Sequence, residues 1–141
     1  MIRQDGWPRI IRFNGYGDYQ RLKVEVARIL AEVTGKSHSL QEVAVHEALA
    51  NAMECRDGVP RQHKARLRFN KMGNRLIVRV KTSRIGFAGN AALRRLRSHP
   101  GEMFSFGEDA AMGRGIPMML ALSHKMMYNS EGTEVLLEWK L

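Results

Sequence analysis

The sequence predicts an α/β (α+β) two-layer sandwich, with helices on one face of a mixed, mostly antiparallel sheet. Three patterns carry that expectation. Two helical runs lie near the start, two alternating apolar and basic runs follow them, and a pair of strand-like runs closes the chain behind a strongly apolar helix. In order they give βααββ, a long loop, then αββ, as one domain spanning residues 1–141.

Each element has its own signal. Arg9 to Phe13 is a short β-like run, ended by the turn-rich Asn14-Gly15-Tyr16-Gly17-Asp18. Tyr19, Leu22, Val26, Ile29, Leu30 and Val33 recur at helical spacing until Gly35 supplies a stop. Ser39-Leu40-Gln41-Glu42 has the S-x-x-E form of a capping box, which opens a second helix running to about Arg56. Asp57-Gly58-Val59-Pro60 breaks it. Ala65, Leu67 and Phe69 alternate with Arg66 and Arg68, and Leu76, Val78 and Val80 alternate with Arg75, Ile77 and Arg79. Lys71-Met72-Gly73-Asn74 between these runs predicts a hairpin turn. Thr82 to Gly89 has loop character, Asn90 to Ser98 suits a short helix, and His99 to Gly113 has the composition of a lid or binding loop. Gly115 to Ser123, apolar on nearly every side, predicts a buried helix. Lys125–Asn129 and Thr133–Leu141 then form a hairpin around Ser130-Glu131-Gly132.

Composition excludes several classes. The chain has 141 residues, 44% hydrophobic and 26% charged, the balance of a globular domain with one core. No apolar run approaches the ~20 residues that span a bilayer, and the first eight residues lack the apolar core of a signal peptide. The single cysteine, Cys55, excludes an internal disulfide and suits a reducing compartment. A cytoplasmic location without membrane association is therefore expected. The net charge of +9 comes from dispersed Lys and Arg on outward strand positions and a short helix, with no nucleic-acid-binding motif. A solvated basic face explains it better than either an acidic protein partner or nucleic acid does. The five histidines are dispersed, and Ala50 stands where H-E-x-x-H would need its second histidine, so a zinc-protease reading of His46-Glu47 fails.

The chemistry concentrates on the second helix. Glu47 and Asn51 are four residues apart on one face with Val43 and Ala44, while Val45, Leu49, Ala52 and Met53 lie broadly opposite. A polar pair in small, apolar company suggests a helix with one side on a sheet and another lining a pocket. On their own, the two residues are better explained as an exposed i, i+4 hydrogen-bonded pair. Later segments shift the balance. Gly113-Arg114-Gly115-Ile116 precedes a helix, where backbone N–H groups receive phosphates well. Gly86-Phe87 follows a strand, and Gly132-Thr133 precedes the last one.

In that order these segments resemble the boxes of the Bergerat-fold ATPases (gyrase, heat-shock chaperone, histidine kinase and mismatch-repair type). Among these the chain is most similar to the anti-sigma-factor serine/threonine kinases. Val45-His46-Glu47-Ala48-Leu49-Ala50-Asn51-Ala52 resembles the E-x-x-x-N-A box, Gly113-Arg114-Gly115-Ile116 the G-R-G-[IL] box, and Gly132-Thr133-Glu134-Val135 the G-T-x-V box. The resemblance runs from about Arg9 to the C-terminus. It implies a histidine-kinase-like ATPase fold, ATP and Mg²⁺ as cofactors, and a role in transcription regulation. Asn51 would ligate Mg²⁺ through its amide oxygen, a hard ligand. Glu47 would be the general base accepting the proton of an attacking serine. Gly113, Arg114 and Gly115 would hold phosphates, with Thr133 near the adenine. The implied partners are an anti-sigma antagonist and a sigma factor, with homodimerisation left open.

One box departs from the pattern. The family's D-x-G-x-G-F stands here as Thr82-Ser83-Arg84-Ile85-Gly86-Phe87, with Thr82 for the adenine-binding Asp and Arg84 for the first Gly. Losing the carboxylate removes a charge-assisted hydrogen bond worth about 1.5–3 kcal/mol, a loss of ATP affinity on the order of ten- to a hundredfold. Arg84 would crowd a loop that needs close backbone approach. Two outcomes stay open: a weakened serine kinase, or a pseudokinase module that binds a sigma factor or antagonist without nucleotide.

Overall fold

The computed structural model describes residues 6–14, 16–53, 64–83, 86, 88–99 and 115–141. The elements in chain order are β1 (Arg9–Asn14), a single 3₁₀ turn (Tyr16–Asp18), α1 (Tyr19–Thr34), α2 (Leu40–Met53), β2 (Lys64–Met72) and β3 (Arg75–Thr82). They continue with α3 (Gly89–Ser98), α4 (Gly115–Leu122), β4 (Lys125–Tyr128) and β5 (Glu134–Lys140). The strands form one sheet in the order β1-β2-β3-β5-β4, and every pairing among the described residues is antiparallel. The result is the expected α+β two-layer sandwich.

Period-two alternation decides which face meets the helices. On the inner face one row of neighbours runs Ile11, Leu67, Val80, Val135 and Tyr128, and the next runs Phe69, Val78, Leu137 and Met126. Leu67, Phe69 and Val78 have no exposed surface. The helical layer lies over these rows: α2 packs on β2 and β3, α1 and α4 flank α2, and α3 and α4 reach β4. The opposite face carries the basic positions, as the alternation predicts, with Arg12, Arg66, Arg68, Arg79 and Lys81 all exposed.

Local signals account for the element ends. Gly35 adopts a left-handed conformation (φ 72°), and its N–H donates to the Ala31 carbonyl at 2.8 Å, stopping α1. Ser39 Oγ accepts from the Glu42 N–H at 3.2 Å, opening α2 as its capping-box sequence predicts. The β2–β3 turn is tighter than expected. Met72 already pairs with Arg75, leaving the two-residue loop Gly73-Asn74, with positive φ at Gly73 alone, the pattern of a type II′ turn. Thr82 belongs to β3 rather than to the loop, because its N–H donates to the Thr133 carbonyl at 2.9 Å. The end of the second helix, its Asp57–Pro60 break, Cys55 and the expected lid at 100–113 lie outside the described residues.

The β4 edge of the sheet is held by α3. Asn90 donates through Nδ2 to the Tyr128 carbonyl at 2.8 Å and accepts at Oδ1 from the Tyr128 N–H at 3.0 Å. One side-chain amide thus makes the pair of bonds that a further strand would make. Arg97 adds a bond from Nη2 to the Met126 carbonyl at 2.9 Å. At the other edge, the Arg9 guanidinium binds both Glu32 carboxylate oxygens, at 2.6 and 2.8 Å, and stacks 4.3 Å over the buried Trp7 ring.

Candidate functional site

Helix α2 is apolar around most of its circumference. Ala44, Val45, Ala48, Leu49 and Ala52 are all buried, so the helix runs between the sheet, α1 and α4 rather than along the surface. Ala44, expected beside the polar pair, is fully buried. Glu47 and Asn51 are half-buried, as are His46 and Ala50, and stand one turn apart, about 6 Å along the axis. Both make polar or electrostatic interactions within the fold.

Helix α4, which packs directly against α2, begins at Gly115 and buries Ile116 and Met119 completely. Pro117 sits in its first turn, where its missing N–H costs no helical bond. Helix α4 is anchored at its far end by Trp139, whose Nε1–H donates to the Leu122 carbonyl at 2.7 Å. Its N-terminal end at Gly115 belongs to the helix beside the one carrying Glu47 and Asn51. Gly113 and Arg114, expected to hold phosphate with it, lie outside the described residues, as do Arg84 and Phe87.

The last turn of α2 meets the sheet through Thr82. The Thr82 hydroxyl donates to the Ala52 carbonyl at 2.7 Å, joining the end of β3 to the residue after Asn51. That bond fixes the direction of the hydroxyl. With its single proton committed to Ala52, the Thr82 oxygen can meet an incoming N–H group only as an acceptor. Behind it, Gly86 lies against the backbone of Glu131 and Gly132. A Cβ built there would stand 1.8 Å from the Glu131 carbonyl oxygen, so no side chain fits. Gly86 thus packs closely on the protein's own chain, beside Glu131 and Gly132.

Thr133 is held by a residue the sequence reading did not single out. Asn129 Oδ1 accepts from the N–H groups of Thr133 and Glu134 at 2.8 and 3.1 Å, while Asn129 Nδ2 donates to Thr133 Oγ1 at 2.9 Å. The Gly132 N–H closes the same turn on the Asn129 carbonyl at 3.1 Å, with Gly132 at φ 69°. An Asn heading a Gly-containing turn is the usual signal of such a side-chain-bonded turn.

His46, one residue before Glu47, faces the α1–α2 contact. Burial, the largest influence, holds its pKa below the ordinary histidine value, and the Lys23 charge acts the same way. The Glu42 carboxylate and a bond to the Lys23 backbone oppose them. Its Nε2 is buried with no hydrogen-bond partner among the described residues. Burial at this contact therefore favours the neutral imidazole. Among the described residues no group of three or more His, Cys, Asp or Glu could hold a metal. Among them, too, no helix is long and apolar enough to cross a membrane.

The model of one protein family, described as the histidine kinase-like ATPase domain, matches residues 18–139. No curated protein matches the chain.

Proposed function

Because the chain belongs to the histidine kinase-like ATPase domain family, we propose that it binds Mg·ATP at the end of α2 bounded by α4, Thr82 and Thr133. In this reading it acts as an anti-sigma-factor-type serine kinase in a partner switch, phosphorylating an anti-sigma antagonist. The observation that carries the proposal is the arrangement around one helix. Glu47 and Asn51 lie half-buried on α2, the α4 helix packs against α2, and the last turn of α2 is tied to Thr82.

The residues present suit the phosphate end. Mg²⁺ takes few protein ligands and keeps its waters, so a single Asn51 amide oxygen is an adequate hold. When bound, the ion would neutralise charge developing on the transferred phosphoryl group. The α4 N-terminal N–H groups from Gly115 would receive phosphate oxygens. Glu47, one turn before Asn51, would accept the proton of the attacking serine hydroxyl. At the base end the Thr82 oxygen would accept from the adenine amino group. That is the role of the family's Asp, filled here by a neutral and weaker acceptor.

Thr82 also supports a second reading, a nucleotide-independent module that binds the sigma factor or antagonist. Calorimetric titration with Mg·ATP and Mg·ADP separates the two. The kinase reading predicts saturable heat in the wild type, reduced in Asn51→Ala and kept in Glu47→Gln. No heat at near-millimolar nucleotide, with heat gained in a Thr82→Asp/Arg84→Gly variant, would leave only the binding module.

A further inference from the structure

The sheet face opposite the helices carries a charge arrangement that folding alone does not favour. Neighbours across strands place Arg12 beside Arg66 and Arg66 beside Lys81, and in the next row Arg68 beside Arg79. Like charges directly opposite one another destabilise a sheet. Glu134 stands opposite Lys81 and approaches Arg66 at 3.9 Å, but among the described residues no carboxylate makes an ion pair with Arg12, Arg68 or Arg79. The Arg68–Arg79 row continues into apolar side chains on the same face, Ile10 at one end and Leu136 and Met127 at the other. Ile10 and Met127 are 45% and 48% exposed. Two concavities open along the face: one of about 290 Å³ between Arg12, Asn14, Arg66 and Lys81, and a smaller one of about 90 Å³ between Arg68, Ile77 and Arg79.

We propose that this open face, centred on Arg68 and Arg79, is the docking surface for an acidic, apolar-studded segment of a partner protein. It lies on the layer opposite Glu47 and Asn51, and the proposal does not depend on nucleotide binding. Charge chooses the occupant. A second copy of the face would bring cations against cations. Nucleic acid fits less well, because a sheet that binds single strands stacks bases on aromatic side chains. Here the aromatics of the strands, Phe13, Phe69, Tyr128 and Trp139, are buried. An acidic protein segment would neutralise the arginine rows while its apolar residues cover Ile10, Leu136 and Met127.

Fluorescence anisotropy on the full chain, without nucleotide, tests this. The probe is a labelled acidic peptide of about 20 residues, Glu and Ala with Leu at every third or fourth position, long enough to span the sheet. Arg12→Glu/Arg79→Glu should weaken its binding by about tenfold or more. The same variant should raise the melting temperature, since each new Glu stands opposite an Arg. Arg21→Glu/Arg28→Glu on α1 changes net charge equally and should leave peptide affinity within about twofold of wild type. An all-Glu peptide without Leu should bind more weakly. Equal losses in the two variants, no peptide binding at low salt, or indifference to Leu would overturn the proposal. So would duplex DNA that binds more tightly than the peptide and is lost in Arg12→Glu/Arg79→Glu.

Discussion

In the proposed site Thr82 would do two jobs with one hydroxyl. Its proton closes the α2–β3 junction on the Ala52 carbonyl, and its oxygen would accept from the adenine amino group. Thr82→Val should therefore cost about 0.5–1.5 kcal/mol of stability by orphaning that carbonyl, measurable by denaturant titration. Thr82→Asp should separate the two jobs. A carboxylate strengthens the adenine contact, and ATP affinity should rise on the order of ten- to a hundredfold. Yet it faces the Ala52 carbonyl with acceptor against acceptor, so the melting temperature should fall. The substitution itself is legible in the sequence, because the box around Gly86 frames it. Its structural bond is not, since nothing in the chain order says that β3 ends against Ala52. His46 supplies a second test. Its folded-state pKa lies below the ordinary ~6.5, so the unfolded chain takes up a proton first. Stability is full above that value and falls as pH drops through it toward the folded pKa. Thermal melts from about pH 7 down to about pH 5 should show this loss, and His46→Gln should flatten it. An unchanged slope in the variant would remove His46 from the acid response.

Helices and strands were largely written in periodicity. The α1 stripe and the basic-apolar alternation of β2 and β3 survive in the fold because each matches a period of 3.6 or 2, and the Ser39 opening of α2 because its hydroxyl caps the Glu42 N–H. What periodicity does not encode is how an edge is finished. Asn90 looks like a routine polar residue at the start of α3, but its amide completes the hydrogen bonding of β4 at Tyr128. Gly89 beside it is equally specific: a Cβ there would stand 2.4 Å from the Tyr128 ring, so α3 needs glycine to lie this close. Asn90→Ala should expose the Tyr128 amide. Hydrogen exchange resolved by residue should speed up at Tyr128 with little change at Val78 in the central strand. Uniform acceleration would mean instead that Asn90 serves global stability. Asn129 escaped the sequence reading for the same reason: its three bonds to Thr133 and Glu134 belong to a turn, which carries no periodicity.

Across the whole molecule the two faces of the sandwich are divided by chemistry. The helical layer holds Glu47 and Asn51 on α2 beside α4, and the open sheet face holds the paired arginines. Gly86 and Gly132, 46 residues apart in the chain, meet backbone to backbone. Binding at the open sheet face should weaken as salt rises, because solvent-exposed charges are screened. Hydrogen exchange of the full chain with and without Mg·ATP tests the proposed placement of Mg·ATP at the α2 end bounded by α4, Thr82 and Thr133. Exchange should slow in the last turn of α2, at the start of α4 and around Gly132-Thr133, with the strand amides of β1 and β2 unchanged. Protection confined to the open sheet face, or none at near-millimolar Mg·ATP, would contradict it.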